Sequence, residues 1–261
     1  MDVAGMKDFR SGAEAYDRFM GRYSEALAPP FADFAGMAPG VRVLDVGCGP
    51  GALTTEAVHR TGAANVFACD PTPAFVAACR ARQPAVEVRQ APAEECPFPD
   101  DAFDVTASQL VLHFVTDPAR AAAEFVRVTH PGGVVAACVW DLASGMQLLR
   151  AFWEAALRVH PDAPDEARRL RFGRPGEIVE LFRAAGMHAL TETKLTVSSR
   201  YEDFDELWSS FQAGVGPAGG YLATLDPDDR ERVRAAMHAE LGGPRGPFTL
   251  SATARAARGV V

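Results

Sequence analysis

The chain has 261 residues, enough for one large domain, or for one domain carrying a sizeable insertion, around a single hydrophobic core. Its 48% apolar and 23% charged residues are those of an ordinary globular protein and exclude a disordered or fibrous one. A formal net charge of -8 argues against a broad phosphate-binding face, so nucleic acid is not an expected partner.

In chain order, the first predicted element is a helix over 13–27, with Tyr16, Phe19, Met20, Tyr23 and Leu27 on one apolar face. Between 41 and 140, short apolar runs alternate with helical patterns. The runs at 41–46, 65–69, 86–89, 103–108 and 133–140 read as buried strands, and the Ala-rich stretches 53–60, 73–82 and 118–128 as crossover helices. This alternation predicts an α/β fold with a doubly wound, mostly parallel sheet that binds ligands at the carboxyl ends of its strands. Beyond the core, helices are predicted over 146–160 and 176–185, a strand over 188–198, and a helical block from Tyr201 through Trp208 and Phe211. The Arg168-Arg169-Leu170-Arg171 cluster, with Asp162, Asp165 and Glu166 just before it, reads as a solvated helix face. A Gly-rich turn or hinge is expected at 214–220, a helix starting at Asp226-Pro227, and a last strand over 248–254.

Five scattered cysteines, Cys48, Cys69, Cys79, Cys96 and Cys138, never form a C-x-x-C pair. Reduced, mostly buried thiols in a cytoplasmic protein are expected, with no disulfide framework and no metal site. Residues 1–8 lack the apolar stretch of a signal peptide, and 134–140 is too short to span a bilayer, so neither export nor a membrane partner is expected.

The strongest local signal is Val43-Leu44-Asp45-Val46-Gly47-Cys48-Gly49-Pro50-Gly51, a buried strand that ends in a carboxylate and enters a G-x-G-x-G loop. Glycine lets the backbone turn sharply and approach a ligand where a Cβ would collide. Taken alone, a Gly-rich loop is weak evidence, and a tight strand-helix turn without ligand is the lesser alternative. Asp70 adds weight, because it ends the next strand 19 positions beyond Gly51, where nucleotide-binding folds set an acid against ribose hydroxyls. The spacing differs from the dinucleotide G-x-G-x-x-G and no P-loop lysine follows, so a nucleoside with a cationic or zwitterionic tail fits better than a pyrophosphate or a triphosphate.

Together with Ala93-Glu94-Glu95-Cys96-Pro97-Phe98-Pro99-Asp100-Asp101-Ala102-Phe103-Asp104 and His130-Pro131-Gly132-Gly133, these motifs resemble the class I S-adenosylmethionine (SAM)-dependent methyltransferases, small-molecule type, over about 41–140. The resemblance implies a Rossmann-like, seven-stranded sheet with its last strand antiparallel, an added helical cap, and SAM as cofactor. It also implies that Asp45 and the loop of Gly47, Cys48, Gly49 and Gly51 hold the methionine part, that Asp70 binds the ribose, and that Ala93 and Glu94 lie beside the adenine. Pro92 stands where close relatives often carry an acid, which leaves adenine recognition to backbone and apolar contacts such as Pro71. The stretch 16–22 resembles the leader of small-molecule members, which implies that Tyr16 and Met20 touch the cofactor and Arg22 meets its carboxylate.

Methyl transfer from a sulfonium needs alignment more than acid–base help, so a catalytic base is optional. His113, just past the fourth strand, is the best-placed imidazole for a general base, against the alternative of a hydrogen-bonded structural histidine. Gln109 reads as a cofactor neighbour. Trp140 and Asp141 close the fifth strand at the cleft edge, and the later aromatics Phe152, Trp153, Trp208, Phe211 and Tyr221 read as pocket wall or as core. The expected division is a helical cover at 1–40, a SAM-binding core at 41–141, and specificity helices with the last two strands at 142–261. The expected reaction passes a methyl group to oxygen or nitrogen of a small-molecule acceptor, with a second copy of the chain as the one protein partner entertained. A non-catalytic SAM-binding protein and a NAD-dependent oxidoreductase are the alternatives.

Overall fold

A computed structural model describes residues 16–261, so positions 13–15 of the first predicted helix lie outside the described residues. From Tyr16 the chain forms a π-helical turn, Asp17–Gly21, that runs into α1 (Arg22–Ala35). α1 passes its predicted end at 27 and continues through Pro29 and Pro30. The two prolines deprive the carbonyls of Glu25 and Ala26 of helical donors, but both residues are exposed, where solvent can meet such groups. Beyond the prolines, Phe31, Ala32 and Ala35 keep the buried stripe going, and tertiary packing overrides the local breaker.

The predicted alternation follows: β1 (Val43–Val46), α2 (Ala52–Thr61), β2 (Val66–Asp70), α3 (Pro73–Arg82), β3 (Glu87–Gln90), β4 (Phe103–Gln109), α4 (Pro118–Val128) and β5 (Thr129–Trp140). β5 starts earlier than predicted because the register shifts against β4 between Phe103 and Val105, which absorbs His130-Pro131-Gly132-Gly133 into an irregular strand start. The later region holds α5 (Gln147–Val159), a single turn at Glu166–Arg169, α6 (Glu177–Ala184), β6 (His188–Tyr201), α7 (Phe204–Gln212), α8 (Gly216–Thr224), α9 (Pro227–Glu240) and β7 (Phe248–Val260). The Gly-rich stretch predicted as a turn is thus helical from 216 onward. Its small residues let α8 fold back closely on α7: a Cβ on Gly219 would lie 2.8 Å from the Gly214 carbonyl carbon and 3.0 Å from the Phe211 oxygen.

The seven strands form one sheet in the order β3-β2-β1-β4-β5-β7-β6, with β7 antiparallel to both neighbours. This is the α/β arrangement anticipated from the sequence, last strand included. Alternate strand residues point to two core layers. One holds Val43 with Leu27, Phe31, Leu53 and Val76 from α1, α2 and α3. The other holds Leu44 and Val46 with Phe125 of α4 and Phe182 of α6. The order reverses between β1 and β4, so their carboxyl ends open a crevice where such folds bind ligands. Among the described residues, no helix is long and apolar enough to cross a membrane.

Candidate active site

At the carboxyl end of β1 the backbone turns sharply because the Gly47 and Cys48 amides both donate to the Cys69 carbonyl, at 2.8 and 3.0 Å. Gly47 has φ +77°, and a Cβ there would collide with the Val111 side chain at 2.4 Å, so only glycine fits. Gly49, at φ +53°, differs: among the described residues, no atom lies within 4 Å of where its Cβ would be. Asp70 sits opposite. Its Oδ2 accepts from the Gly49 amide at 3.0 Å and its Oδ1 from the Thr72 amide at 2.8 Å. Burial raises its carboxyl above the usual range while these two donors pull it down.

Not every residue of the loop reaches the cavity. Asp45 is 1% exposed and lies beneath the loop, where its Oδ2 accepts from Thr54 Oγ1 at 2.6 Å; burial pushes its carboxyl up to about 7. Cys48 is buried against Cys79, and Gly51 packs on the same residue, whose Sγ would stand 3.1 Å from a Cβ at 51. These three shape the loop from below and do not line the opening.

Three adjoining pockets run along the carboxyl ends of the strands. The central one is lined by Tyr16, Gly47, Gly49, Asp70, Pro71, Thr72, Phe75, Gln109, Leu110, Val111 and Phe114, around about 600 Å³ of empty space. Tyr16 meets Phe75 edge-on at 5.5 Å, and its burial pushes the hydroxyl up to about 12. Gln109 donates from Nε2 to the Ser24 carbonyl at 3.0 Å, while its Oε1 is buried without a partner among the described residues. On the β2–β3 side, Pro71, Pro92, Ala93, Glu94 and Arg120 line the second pocket. Glu94 holds its shape, with Oε1 accepting from the Thr116 and Asp117 amides at 2.9 and 3.1 Å.

The third pocket shares Tyr16, Leu110 and Phe114 with the central one. Leu110 carries φ +66°, a strained value for a branched side chain, at the junction of the two. The remaining wall comes from Phe19, Met20, Trp140, Leu142, Leu149, Leu170 and the start of α8 at Gly216, Pro217 and Ala218, with His113 and Glu166 as polar members. Met20 therefore faces this pocket and not the central one.

Several expectations need correction. His113 lines the apolar pocket, yet both ring nitrogens face backbone carbonyls, Nδ1 at 2.5 Å from Arg171 O and Nε2 at 3.3 Å from Trp140 O. Burial lowers its pKa to about 4, so the ring is neutral at ordinary pH and can donate to only one of these two carbonyls. Arg22 is not brought to the central pocket: it pairs with Glu206 at 2.9 Å and lies over the Tyr201 ring at 4.3 Å, tying α1 to α7 and the end of β6. Asp141 is taken by a buried pair with Arg255 at 2.8 Å. Phe152, Trp153, Trp208 and Phe211 are core. The solvated face predicted at 162–171 holds for Arg168 and Arg169, but Asp165 and Glu166 are 4% and 5% exposed. Glu166 is the residue that sequence reasoning missed. No local pattern marks it, because its burial comes from Trp153, whose Nε1 donates to Glu166 Oε2 at 2.7 Å.

Residues 44–137 match the family described as "Methyltransferase domain". An uncharacterized methyltransferase of Mycobacterium tuberculosis is 39% identical over 133 residues, 51% of either chain. Nocamycin O-methyltransferase of Saccharothrix syringae is 26% identical over 260 residues, covering 89% of this chain and 90% of its own. The chain spans about half the length of the first curated relatives it matches, 42 to 51%. Among solved structures, a protein of Anaeromyxobacter dehalogenans provisionally assigned as a type II methyltransferase superposes with a TM-score of 0.63 at 23% identity, over 89% of this chain and 95% of that one, which establishes the shared fold. The sheet order, the loop and these matches agree: residues 44–137 are similar to the methyltransferase domain family and sit on a sheet of the fold that its solved neighbours share.

Proposed function

We propose that the protein moves a methyl group from SAM to oxygen or nitrogen of a small-molecule acceptor held in the apolar third pocket. The observation that carries this reading is the pair of adjoining pockets separated by Tyr16, Leu110 and Phe114, one edged by a glycine cradle and a buried acid, the other almost wholly apolar. The residues fit the cofactor on the chain's own geometry. Gly49 opens onto room for the methionine part, Gln109 Oε1 offers an unpaired acceptor to its ammonium, and Asp70 has lone pairs left for ribose hydroxyls. Pro71, Pro92 and Ala93 offer the adenine an apolar slot. When bound, SAM supplies a methyl carbon already activated by a positively charged sulfur.

The protein's own task is alignment and the exclusion of water. Tyr16, Leu110 and Phe114 narrow the passage between the pockets, and the aromatic and aliphatic wall keeps competing water from the attacking atom. With both His113 nitrogens turned toward backbone carbonyls, this reading uses no histidine base. Residues 41–141 carry the cofactor in this reading, 1–40 cover it, and 142–261 select the acceptor, since Leu142, Leu149, Glu166, Leu170 and 216–218 all contribute to the third pocket. A cytoplasmic setting is part of the same proposal, supported by five buried cysteines with no disulfide.

The test is turnover. Purified protein with SAM and a panel of apolar amines and phenols should release S-adenosylhomocysteine (SAH) together with a product heavier by one methylene. SAM binding without turnover across amines, phenols, acids and thiols would favour the non-catalytic alternative.

A further inference from the structure

In the sequence the Arg168-Arg169-Leu170-Arg171 cluster is offset by Asp162, Asp165 and Glu166, and folding undoes that balance. Asp165 turns inward, where it takes Arg150 on both oxygens at 3.1 Å and caps the turn through the Ala167 amide. Glu166 turns inward as well and accepts from Trp153 Nε1 at 2.7 Å. Both acids are buried, whereas Arg168, Arg169, Arg171 and Arg174 are all exposed. Asp162 is the one exposed acid between 161 and 174.

Exposed arginines elsewhere on the chain pair with carboxylates, Arg200 with Glu202, Arg232 with Asp229 and Arg234 with Asp205. In this segment the carboxylates are spent inside. Arg168 retains only a 3.8 Å approach to Asp165, which Arg150 already holds, and the Arg169 and Arg174 guanidiniums have no acidic partner among the described residues. In a chain of net charge -8, this is a local surplus of cations.

The surplus lies at the edge of the third pocket. Leu170, between Arg169 and Arg171, lines that pocket, whose wall is otherwise mostly apolar. The backbone that carries the arginines is fixed: Arg171 O meets His113 Nδ1, Phe172 is buried, and Gly173 O accepts from Arg255 Nε at 3.0 Å. A guanidinium is planar and presents paired N–H groups that match the oxygens of a phosphate, so arginines on a pinned backbone beside an apolar opening suit a ligand with two unlike ends.

We infer that the exposed arginines of 168–174 form a tail subsite of the acceptor pocket: the acceptor has an apolar end, seated in the third pocket, and a phosphate on a short tether, held at the rim by Arg169 and Arg174. This rests on the methyltransferase reading for the role of the pocket; the preference for a phosphate tail belongs to the rim itself.

The test titrates 4-phenylbutyl phosphate, 4-phenylbutan-1-ol and inorganic phosphate into the full chain at neutral pH, with and without saturating SAH. The ester should bind about fivefold to tenfold tighter than the alcohol, as expected for two solvent-exposed charge contacts. Raising the salt from about 50 to about 500 mM should shrink that advantage. The double variant Arg169→Gln, Arg174→Gln should bring the ester to within about twofold of the alcohol and leave the affinities for the alcohol and for SAH unchanged. Arg183→Gln, an exposed arginine on α6, should leave the advantage intact. An alcohol that binds as tightly as the ester, no binding by either, an advantage that survives in the double variant, or an equal loss in Arg183→Gln overturns the inference. Inorganic phosphate binding as tightly as the ester also overturns it, because the arginines would then hold an anion independently of the pocket. Failure of SAH to bind overturns the methyltransferase reading instead, while the ranking of ester over alcohol in the SAH-free chain decides the rim preference separately.

Discussion

Gly49 and Asp70 are joined by one hydrogen bond of 3.0 Å, and each predicts a separate loss. Gly49→Val directs a branched side chain into space that no atom of the described residues occupies, at a backbone cost of about 1–2 kcal/mol for the left-handed φ. The variant should keep its circular dichroism and lose SAM binding in a calorimetric titration. Asp70→Ala should weaken SAM by about 1–3 kcal/mol in the same measurement, through loss of charge-assisted hydrogen bonds. His113 makes a stability prediction. Its folded pKa, about 4, lies below the ordinary 6.5, so the unfolded chain binds more protons between these values and stability falls as pH drops through that window. Relative to His113→Gln, the native protein should lose up to about 3 kcal/mol from pH 7 to pH 4 in urea unfolding. Asp45 runs the other way, because its raised carboxyl favours the fold at low pH, but it is common to both proteins and cancels. Gly47, Gly49 and Asp70 were legible in the sequence because strand, loop and acid are adjacent or fixed by one βαβ step. Arg22 and His113 were not, since their partners Glu206 and Arg171 lie 184 and 58 positions away and are met only after the chain folds.

At the scale of elements, the βαβ core could be read from its apolar periodicity, and the departures have local causes. α1 outlasts Pro29-Pro30 because its buried face continues, and α8 forms from a run of small residues that in isolation signals a turn. The segment between the Glu166–Arg169 turn and α6 is pinned at both sides of Phe172, which has φ +69°: His113 meets Arg171 O, and Arg255 Nε donates to Gly173 O at 3.0 Å. Arg255 is itself held by Asp141, whose side chain is 3% exposed. Removing the guanidinium leaves that carboxylate buried without its counter-charge, with only the Ser144 amide and hydroxyl donating to it. Arg255→Met should therefore cost about 3–5 kcal/mol by urea unfolding and open 170–174 to limited proteolysis before the rest of the chain. An unchanged cleavage pattern would mean that the segment is held by something other than this clamp.

For the molecule as a whole, the sheet order β3-β2-β1-β4-β5-β7-β6 brings the carboxyl ends of β1, β2, β4 and β5 to one side, and the later helices close over that side. The parallel half of this arrangement was legible from strand-helix alternation; the antiparallel β7 came with the family resemblance, since nothing in its own residues gives its direction. The acceptor wall was the least legible part, because it draws on residues from Tyr16 to Ala218 that share no pattern. The central claim is that the crevice beside Gly49 and Asp70 is a SAM site, and isothermal titration of the full chain with SAM, SAH and NADH side by side tests it most directly. The account predicts micromolar-range binding of the two sulfur nucleosides and none of NADH; binding of NADH alone, with silence from SAM and SAH, would contradict it.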